Sequence, residues 1–269
     1  MFHRLTGQNE AAYFLFVPSE VQPGAPIMVS VHGVNRNAAE HAFRFREEAA
    51  RRGAVLIAPL FEKEYYGGYQ QLVCRNGARS DEALLRIVDS VSRSTHADGE
   101  KVHLFGYSGG AQFAHRFAML HPERIKVAVV GAAGWYTYPD QSLAYPAGLG
   151  ESEALPGLNF RPEAAAAANY VVVVGERDVK RGSALRQSDD LDASQGADRV
   201  ERGRRWIEAM GRLQAELQAP GTAEFIVAPG LGHSFRKLAN RRRRRNVIFD
   251  ALALTPVQAE ERSAEGALG

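Results

Sequence analysis

Short runs rich in valine and isoleucine alternate with longer amphipathic stretches along most of this chain. Strands buried on both faces give continuous apolar runs, whereas the helices that cover them carry one apolar face. The alternation therefore predicts a single α/β domain, residues 1–255, with a mostly parallel central sheet and helices on both faces. The predicted strands are 26–33, 54–59, 101–108, 124–134, 169–178 and 223–230, and the predicted helices are 38–53, 80–93, 109–122, 198–217 and 234–254, with Ser80 as a helix N-cap.

Two segments depart from the alternation. Residues 135–169 contain prolines, glycines, aromatic residues and an alanine run, and they are longer than an ordinary connection between strand and helix. We expect a cap-like insertion over the C-terminal edge of the sheet, with a short helix at 163–169. Residues 256–269 are small, polar and acidic, which is typical of a flexible tail.

The overall charge limits the classes of partner. A net charge of +2 gives no global field that would draw the chain to a nucleic acid or a membrane. The five consecutive arginines 241–245 would spread around every face of a helix, so a solvated run is favoured over a nucleic-acid-binding stripe. We predict no cofactor and no metal, and either a monomer or a small homo-oligomer.

The cysteine content and the N-terminus bear on location. Cys74 is the only cysteine, which excludes an intramolecular disulfide. The first residues lack the apolar core of a secretion signal, and no window is long and apolar enough for a transmembrane helix. These features together lead us to expect a cytoplasmic location.

Ser108 lies in the motif Gly106-Tyr107-Ser108-Gly109-Gly110, between a predicted strand and a predicted helix. A nucleophilic serine on such a turn has a strained backbone that lifts its Oγ above the sheet, and glycine neighbours let strand and helix approach closely. The pentapeptide alone is a weak signal, because a chain with 26 glycines can contain it by chance. Its setting between strand and helix favours a nucleophile over a structural glycine-rich turn.

A serine nucleophile needs two backbone N–H groups that stabilise the oxyanion of the tetrahedral intermediate. The amide of Gly109, directly after the serine, is the first candidate. The second is expected in the loop after strand 26–33, where Val34 follows a His-Gly pair and Asn35 can assist. We assign His32 a structural role, bracing this loop.

The general base is expected to be a histidine on a late loop that follows a strand. Of the eight histidines, His233 in the glycine-rich stretch 227–235 is the one that meets this expectation. The carboxylate that orients its imidazole should follow strand 169–178, and Asp178 is the first choice. Glu176 stays open as an alternative, as do the aspartates 189, 190 and 192, which we expect to be solvated.

Aromatic side chains gather on loops predicted to lie at the C-terminal edge of the sheet. Ligands of open α/β sheets bind at this edge, so the rings predict a pocket for an acyl or aryl group. Ordinary loop packing is the alternative. The candidate substrate-binding residues are Asn35, Tyr65, Tyr66, Tyr69, Tyr107, Trp135 and Tyr136.

With these motifs, the chain resembles the α/β-hydrolase superfamily of serine hydrolases, through VHGVNRN, GYSGGAQFAHRFAMLHPERI, VVVVGERD and GLGHSF. Two of these stretches, HGVNRN and GYSGGAQFAHRFAMLHPERI, are similar to bacterial esterases related to poly(3-hydroxybutyrate) depolymerases and feruloyl esterases. The chain order Ser108, Asp178, His233 is the one expected in this superfamily. The resemblance implies the α/β-hydrolase fold and hydrolysis through a covalent acyl-enzyme.

The leading functional hypothesis is a serine hydrolase that cleaves the carboxylic ester of a small soluble substrate. The same triad can also perform amide or peptide hydrolysis, acyl transfer or lyase chemistry, and motifs do not separate these reactions. A catalytically silent ligand-binding protein with this fold is a third hypothesis, although such a protein has no need of Ser108, Asp178 and His233 together.

Overall fold

Eight strands form one sheet within the described residues of the computed structural model, which are 1–6, 10–74, 76–153 and 155–256. The strands are β1 (Phe2–Leu5), β2 (Ala11–Phe16), β3 (Pro26–Val31), β4 (Val55–Leu60), β5 (Asp98–Tyr107), β6 (Ile125–Gly131), β7 (Tyr170–Gly175) and β8 (Ala223–Ala228). Their order across the sheet is β1-β2-β4-β3-β5-β6-β7-β8. β2 pairs antiparallel with β1 and β4, and the other pairings are parallel. The prediction of a mostly parallel sheet is confirmed.

Helices cover both faces of the sheet, as the alternation predicts. They are α1 (Ala38–Arg51), α2 (Ser80–Thr95), α3 (Gly109–Leu120), α4 (Pro162–Ala167), α5 (Asp189–Gln195), α6 (Arg199–Glu216), α7 (Phe235–Asn240) and α8 (Arg242–Ala251). One apolar core lies under α2, α3 and α6, and a second lies under α1, α7 and α8. Within β3, Val29 faces the first core and Met28 the second, which explains why the strand is apolar along its length.

The N-terminal strands β1 and β2 were not anticipated from the sequence. β1 has only 4 residues, which alternate between exposed and half-buried, so it has no continuous apolar run. It is held as an edge strand because β2 pairs with it on one side and with β4 on the other. This pairing is a tertiary contact that local sequence does not encode.

Two helix predictions require correction. The helix predicted at 234–254 is two helices, because Arg241 between α7 and α8 has the extended backbone φ −111°, ψ 132°. Ser80 is the first residue of α2 and not its N-cap, a position that Arg79 occupies. The Ser80 hydroxyl is buried and lies against the carbonyl oxygens of Tyr69 and Leu72, so it fastens α2 to the preceding loop.

The short helix predicted in the insertion is present as α4, which packs against α3 and α6. The aspartates expected in a solvated loop instead begin α5, whose N-cap Ser188 accepts a hydrogen bond from the Leu191 N–H. Asp192 pairs with Arg181 and Arg202. The cap-like role of residues 135–169 stays a prediction, and residues 257–269 of the predicted tail lie outside the described residues.

No helix in the described part of the chain is long and apolar enough to cross a membrane. In the same residues, no three His, Cys, Asp or Glu side chains are grouped so that they could hold a metal ion.

Candidate active site

Ser108 stands at the C-terminal end of β5, and α3 begins with the next residue. Its backbone has φ 55° and ψ −111°, a conformation that a non-glycine residue rarely adopts. A Cβ on Gly106 would collide with the Gly110 carbonyl oxygen, and one on Gly110 would lie 2.6 Å from the His32 carbonyl oxygen. The two glycines therefore permit the close approach of β5, α3 and the loop after β3, as predicted from the sequence.

The side chains of Ser108, His233 and Asp178 form a continuous hydrogen-bonded chain. The distance from Ser108 Oγ to His233 Nε2 is 3.0 Å, and that from His233 Nδ1 to Asp178 Oδ2 is 2.7 Å. Asp178 is buried, whereas His233 and Ser108 are partly exposed. Because a carboxylate oxygen only accepts, His233 donates through Nδ1 and presents Nε2 as an acceptor to the serine hydroxyl.

Arg199 holds the second carboxylate oxygen of Asp178. Its Nη1 donates to Asp178 Oδ1 at 3.2 Å, and its Nη2 donates to the Ala184 carbonyl at 3.1 Å. Both Arg199 and Asp178 are almost fully buried, so their charges compensate each other away from water. The carboxylate is thus fixed between a guanidinium on α6 and the imidazole.

The loops that carry Asp178 and His233 are joined to each other by main-chain contacts. The Arg177 N–H donates to the Leu231 carbonyl at 2.7 Å, and a Cβ on Gly175 would collide with that same oxygen. The Glu176 carboxylate accepts from the Gly230 N–H at 2.8 Å. Glu176 therefore braces the histidine loop and does not contact the imidazole.

The amides of Val34 and Gly109 lie beside each other next to the serine. A Cβ on Gly109 would be 3.2 Å from the Val34 nitrogen, and one on Gly33 would be 3.6 Å from Ser108 Cβ. Within the described residues, no backbone hydrogen bond uses the Val34 or the Gly109 N–H. Both donors are therefore available to an oxyanion at Ser108.

His32 and Tyr69 brace the loop that carries Val34. The His32 Nδ1 donates to the Gly33 carbonyl at 2.8 Å, its Nε2 accepts from the Phe61 N–H at 3.1 Å, and the Tyr69 hydroxyl donates to the His32 carbonyl at 2.8 Å. Burial lowers the pKa of His32 to about 4, so the ring is neutral in this network. The predicted structural role of His32 is confirmed.

The predicted substrate-binding aromatics divide into three environments. Tyr66, Tyr69 and Tyr136 are fully buried and pack inside the molecule, while Tyr65 is exposed. Trp135 lines a cavity, and its ring is contacted by the guanidiniums of Arg116 and Arg186. Asn35 is exposed beside Val34.

Tyr107 lies beneath the imidazole. Its ring stacks on His233 with the centroids 5.2 Å apart, and it is tilted against Phe235 at 5.6 Å. Burial raises the pKa of the Tyr107 hydroxyl, so the ring stays neutral. Tyr107 therefore contacts the imidazole of the predicted general base and supports one face of that ring.

Sequence reasoning missed the buried groups of α6 that hold the site loops. Besides Arg199, the Arg202 guanidinium donates to the carbonyls of Gly134, Arg186 and Gly196. A signal was present, because these two arginines lie on the same face of α6 as the buried Trp206. A charged residue on an apolar helix face requires an internal partner.

Comparison with solved structures identifies the fold. Poly(aspartic acid) hydrolase-1 from Sphingomonas sp. KT-1 superposes with a TM-score of 0.75, at 23% identity over 87% of this chain and 93% of that one. The poly(3-hydroxybutyrate) depolymerase from Bordetella parapertussis gives a TM-score of 0.76, at 22% identity over 96% and 92%. The chain has the α/β-hydrolase fold. Acetyl xylan esterase from Aspergillus awamori has this α/β-hydrolase fold as well, with a TM-score of 0.59, 15% identity and coverage of 95% and 100%.

Similarity in sequence is more limited. A curated 1-acylglycerol-3-phosphate O-acyltransferase from Arabidopsis thaliana is 27% identical over 135 residues, which are 49% of this chain and 31% of the plant protein. No family model matches the chain. The structural superpositions, rather than a sequence match, confirm the α/β-hydrolase fold expected from the sequence motifs.

Proposed function

We propose that this protein is a serine hydrolase that cleaves carboxylic esters through an acyl-enzyme. The observation that carries the proposal is the chain from Ser108 Oγ to His233 Nε2 and from His233 Nδ1 to Asp178 Oδ2, at 3.0 Å and 2.7 Å. The strained turn at Ser108 supports it, as does the fold shared with proteins named as esterases and depolymerases.

In the first half-reaction, Ser108 Oγ bonds to the ester carbonyl carbon while His233 Nε2 takes the hydroxyl proton. The carbonyl electron pair moves to oxygen, and the resulting oxyanion accepts hydrogen bonds from the amides of Val34 and Gly109. Asp178 stabilises the imidazolium that forms. When the intermediate collapses, the C–O bond to the alcohol breaks and the imidazolium gives its proton to the leaving alcohol.

In the second half-reaction, water attacks the acyl-enzyme and His233 takes its proton. The oxyanion forms again in the same position, because the carbonyl has not moved. Collapse of this intermediate breaks the bond to Ser108 Oγ, which regains a proton from His233. The products are an acid and an alcohol.

A second candidate is acyl transfer, because the Arabidopsis protein that matches part of the chain is named as an acyltransferase. An alcohol would then replace water in the second half-reaction. Amide hydrolysis is a third candidate, favoured by the likeness to a protein named poly(aspartic acid) hydrolase. A panel of esters, thioesters and amides, run with and without an added alcohol, separates the three by their products.

The first test uses wild type, Ser108→Ala and the control Ser94→Ala, which changes an exposed serine on α2. Fluorophosphonate labelling and hydrolysis of short p-nitrophenyl esters are measured on each. We expect wild type and Ser94→Ala to label and turn over. Ser108→Ala should not label, and its turnover should fall by about 10⁴-fold or more. Labelling that persists in Ser108→Ala contradicts the proposal, and wild type that neither labels nor turns over supports the ligand-binding hypothesis.

A further inference from the structure

A cavity of about 560 Å³ opens one helical turn from the proposed nucleophile. Gln112 lines it, and the Gln112 N–H donates to the Ser108 carbonyl in the first turn of α3. Gly68 and Gln70 also line the cavity and flank Tyr69 in the chain, and the Tyr69 hydroxyl would be 2.9 Å from a Cβ on Gly109. The cavity is thus built from the same segments that shape the surroundings of Ser108.

The cavity wall carries two cations. Lys63 and Arg186 line it together with the carboxylate of Glu64. In the described part of the chain, neither Lys63 nor Arg186 forms a salt bridge, although Arg186 lies over the Trp135 ring at 4.9 Å. Their positive charges are therefore free to meet a ligand.

A third cation lies directly behind the wall. Arg116 is fully buried, and its guanidinium donates to the Thr137 hydroxyl, the Gln70 carbonyl and the Gln112 carbonyl and lies over Trp135 at 4.4 Å. Within the described residues, no carboxylate pairs with it and its Nη2 has no hydrogen-bond partner. A buried charge without a counter-charge is unfavourable, and an anion nearby would offset that cost.

The charges of Arg116 and Arg186 act on each other. Burial, opposed by Tyr145 and reinforced by Arg186, lowers the pKa of Arg116 to about 10. The guanidiniums of Arg116 and Arg186 both contact the Trp135 ring and repel each other, and an anion between or beside them would offset that repulsion.

We propose that this cavity binds a carboxylate carried by the acyl part of the ester, so that the preferred substrates are half-esters of dicarboxylic acids. The inference rests on the proposed ester hydrolysis at Ser108. Arg186 and Lys63 contact the carboxylate, the Gln112 and Gln70 side chains offer amide donors, and Arg116 stabilises it through its field. Lys63, Arg186 and Arg116 exceed the lining carboxylate of Glu64 by two positive charges, so the cavity attracts an anion.

The placement sets the length of the substrate. Gln112 is four residues along α3 from Ser108, a rise of about 6 Å along the helix axis. A carboxylate in the cavity can therefore be joined to the scissile carbonyl by a chain of about three carbon atoms, as in a glutarate half-ester.

The kinetic test compares monoethyl glutarate with ethyl pentanoate, which has the same acyl length without the charge. Acid release is followed by pH-stat for wild type, Arg186→Gln and the control Arg93→Gln, which removes an exposed positive charge from α2. We expect Arg186→Gln to raise the KM for monoethyl glutarate by about tenfold and to leave the KM for ethyl pentanoate unchanged. Wild type that hydrolyses both esters equally well, or an Arg186→Gln variant that loses both, overturns the proposal.

A binding test is independent of hydrolysis. The protein has 2 tryptophans, so the fluorescence of Trp135 is read by comparing wild type with Trp135→Phe and Trp206→Phe. Glutarate should change the emission of wild type and Trp206→Phe but not that of Trp135→Phe or Arg186→Gln, and neutral glutaramide should change none. Tighter binding of inorganic phosphate than of glutarate overturns the carboxylate assignment.

The two tests separate the cavity from the chemistry. Glutarate binding without hydrolysis of any ester contradicts the proposed function and leaves the anion site standing. Hydrolysis of neutral esters with no response to glutarate contradicts the anion site and leaves the proposed function standing.

Discussion

Ser108 adopts a backbone conformation that its neighbours impose on it. Its φ of 55° and ψ of −111° cost on the order of 1–3 kcal/mol for a residue with a Cβ. The conformation persists because β5 and α3 are fixed in the cores on either side of the turn. It directs Oγ to a point 3.0 Å from the His233 imidazole. The reactivity we propose for this serine is thus a property of its setting.

The choice of Asp178 over Glu176 can be tested at single residues. Asp178→Asn replaces the acceptor of the His233 Nδ1–H with an amide and should favour the wrong imidazole tautomer, which lowers kcat by about 10³- to 10⁴-fold. Glu176→Gln keeps a carbonyl oxygen that can accept from the Gly230 N–H, so its kcat should match wild type. Both are measured with p-nitrophenyl acetate. Near-normal kcat in Asp178→Asn with a loss in Glu176→Gln would reverse the assignment.

At the scale of elements, α3 approaches the sheet more closely at Gly110 than α6 does at Gly211. A Cβ on Gly110 would reach the main chain of β3 and the His32 carbonyl, whereas one on Gly211 of α6 meets only the Ala223 Cβ, at 3.8 Å. Both glycines lie in helices, but their surroundings differ. Gly110 leaves no room for a Cβ beside the neighbouring main chain, whereas Gly211 has room for one.

We expect opposite effects of alanine at these two glycines. Gly110→Ala forces α3 away from β3 and should lower the free energy of unfolding by about 3 kcal/mol, with loss of esterase activity. Gly211→Ala reduces the conformational freedom of the unfolded chain and should raise stability by about 0.5–1 kcal/mol, or Tm by about 2 °C. Urea and thermal unfolding with circular dichroism measure both. A stabilised Gly110→Ala variant is incompatible with the packing described.

At the scale of the whole molecule, stability should depend on pH through three buried histidines. His32, His41 and His115 have pKa values lowered chiefly by burial, to about 4 for His32. The unfolded chain binds these protons first, near pH 6.5, and the folded protein binds them only at lower pH. Their contribution is therefore complete above about pH 6.5 and is lost as the pH falls.

The expected size follows from linkage. Between pH 6.5 and 4.5, His32 should lower the free energy of unfolding by about 1.4 kcal/mol per pH unit, and His41 and His115 should add to the slope in the same direction. Urea unfolding at several pH values measures the slope, which should be smaller in His41→Gln than in wild type. The control His96→Asn changes an exposed residue and should keep the wild-type slope. A stability that is flat over this interval contradicts the prediction.

Several elements were predictable because their signals are local. β5 and α3 are a buried apolar run and an amphipathic stretch on either side of glycines, and both lie where the sequence predicts them. α5 was missed although Ser188, its N-cap, was readable as one. The break at Arg241 was not readable, because arginine favours a helix and only the packing of α7 against α8 requires the extended residue.

The site was predictable to the same extent. Glycine-flanked positions at strand ends pointed to Ser108, to His233 and to the amides of Val34 and Gly109. The burial of Tyr66, Tyr69 and Tyr136 was not predictable, since a loop tyrosine can face a pocket or the core with equal local propensity.

The sequence by itself determined the alternation of strands and helices, the strained turn at Ser108 and the order of its proposed partners, because each depends on residues adjacent in the chain. Only the tertiary structure decided that Arg199 holds Asp178, that Tyr107 supports His233, and that Arg116 and Arg186 meet at Trp135. These contacts join residues far apart in the chain. They form because a buried charge or ring is stabilised by the groups that packing brings next to it, whatever their positions in the chain.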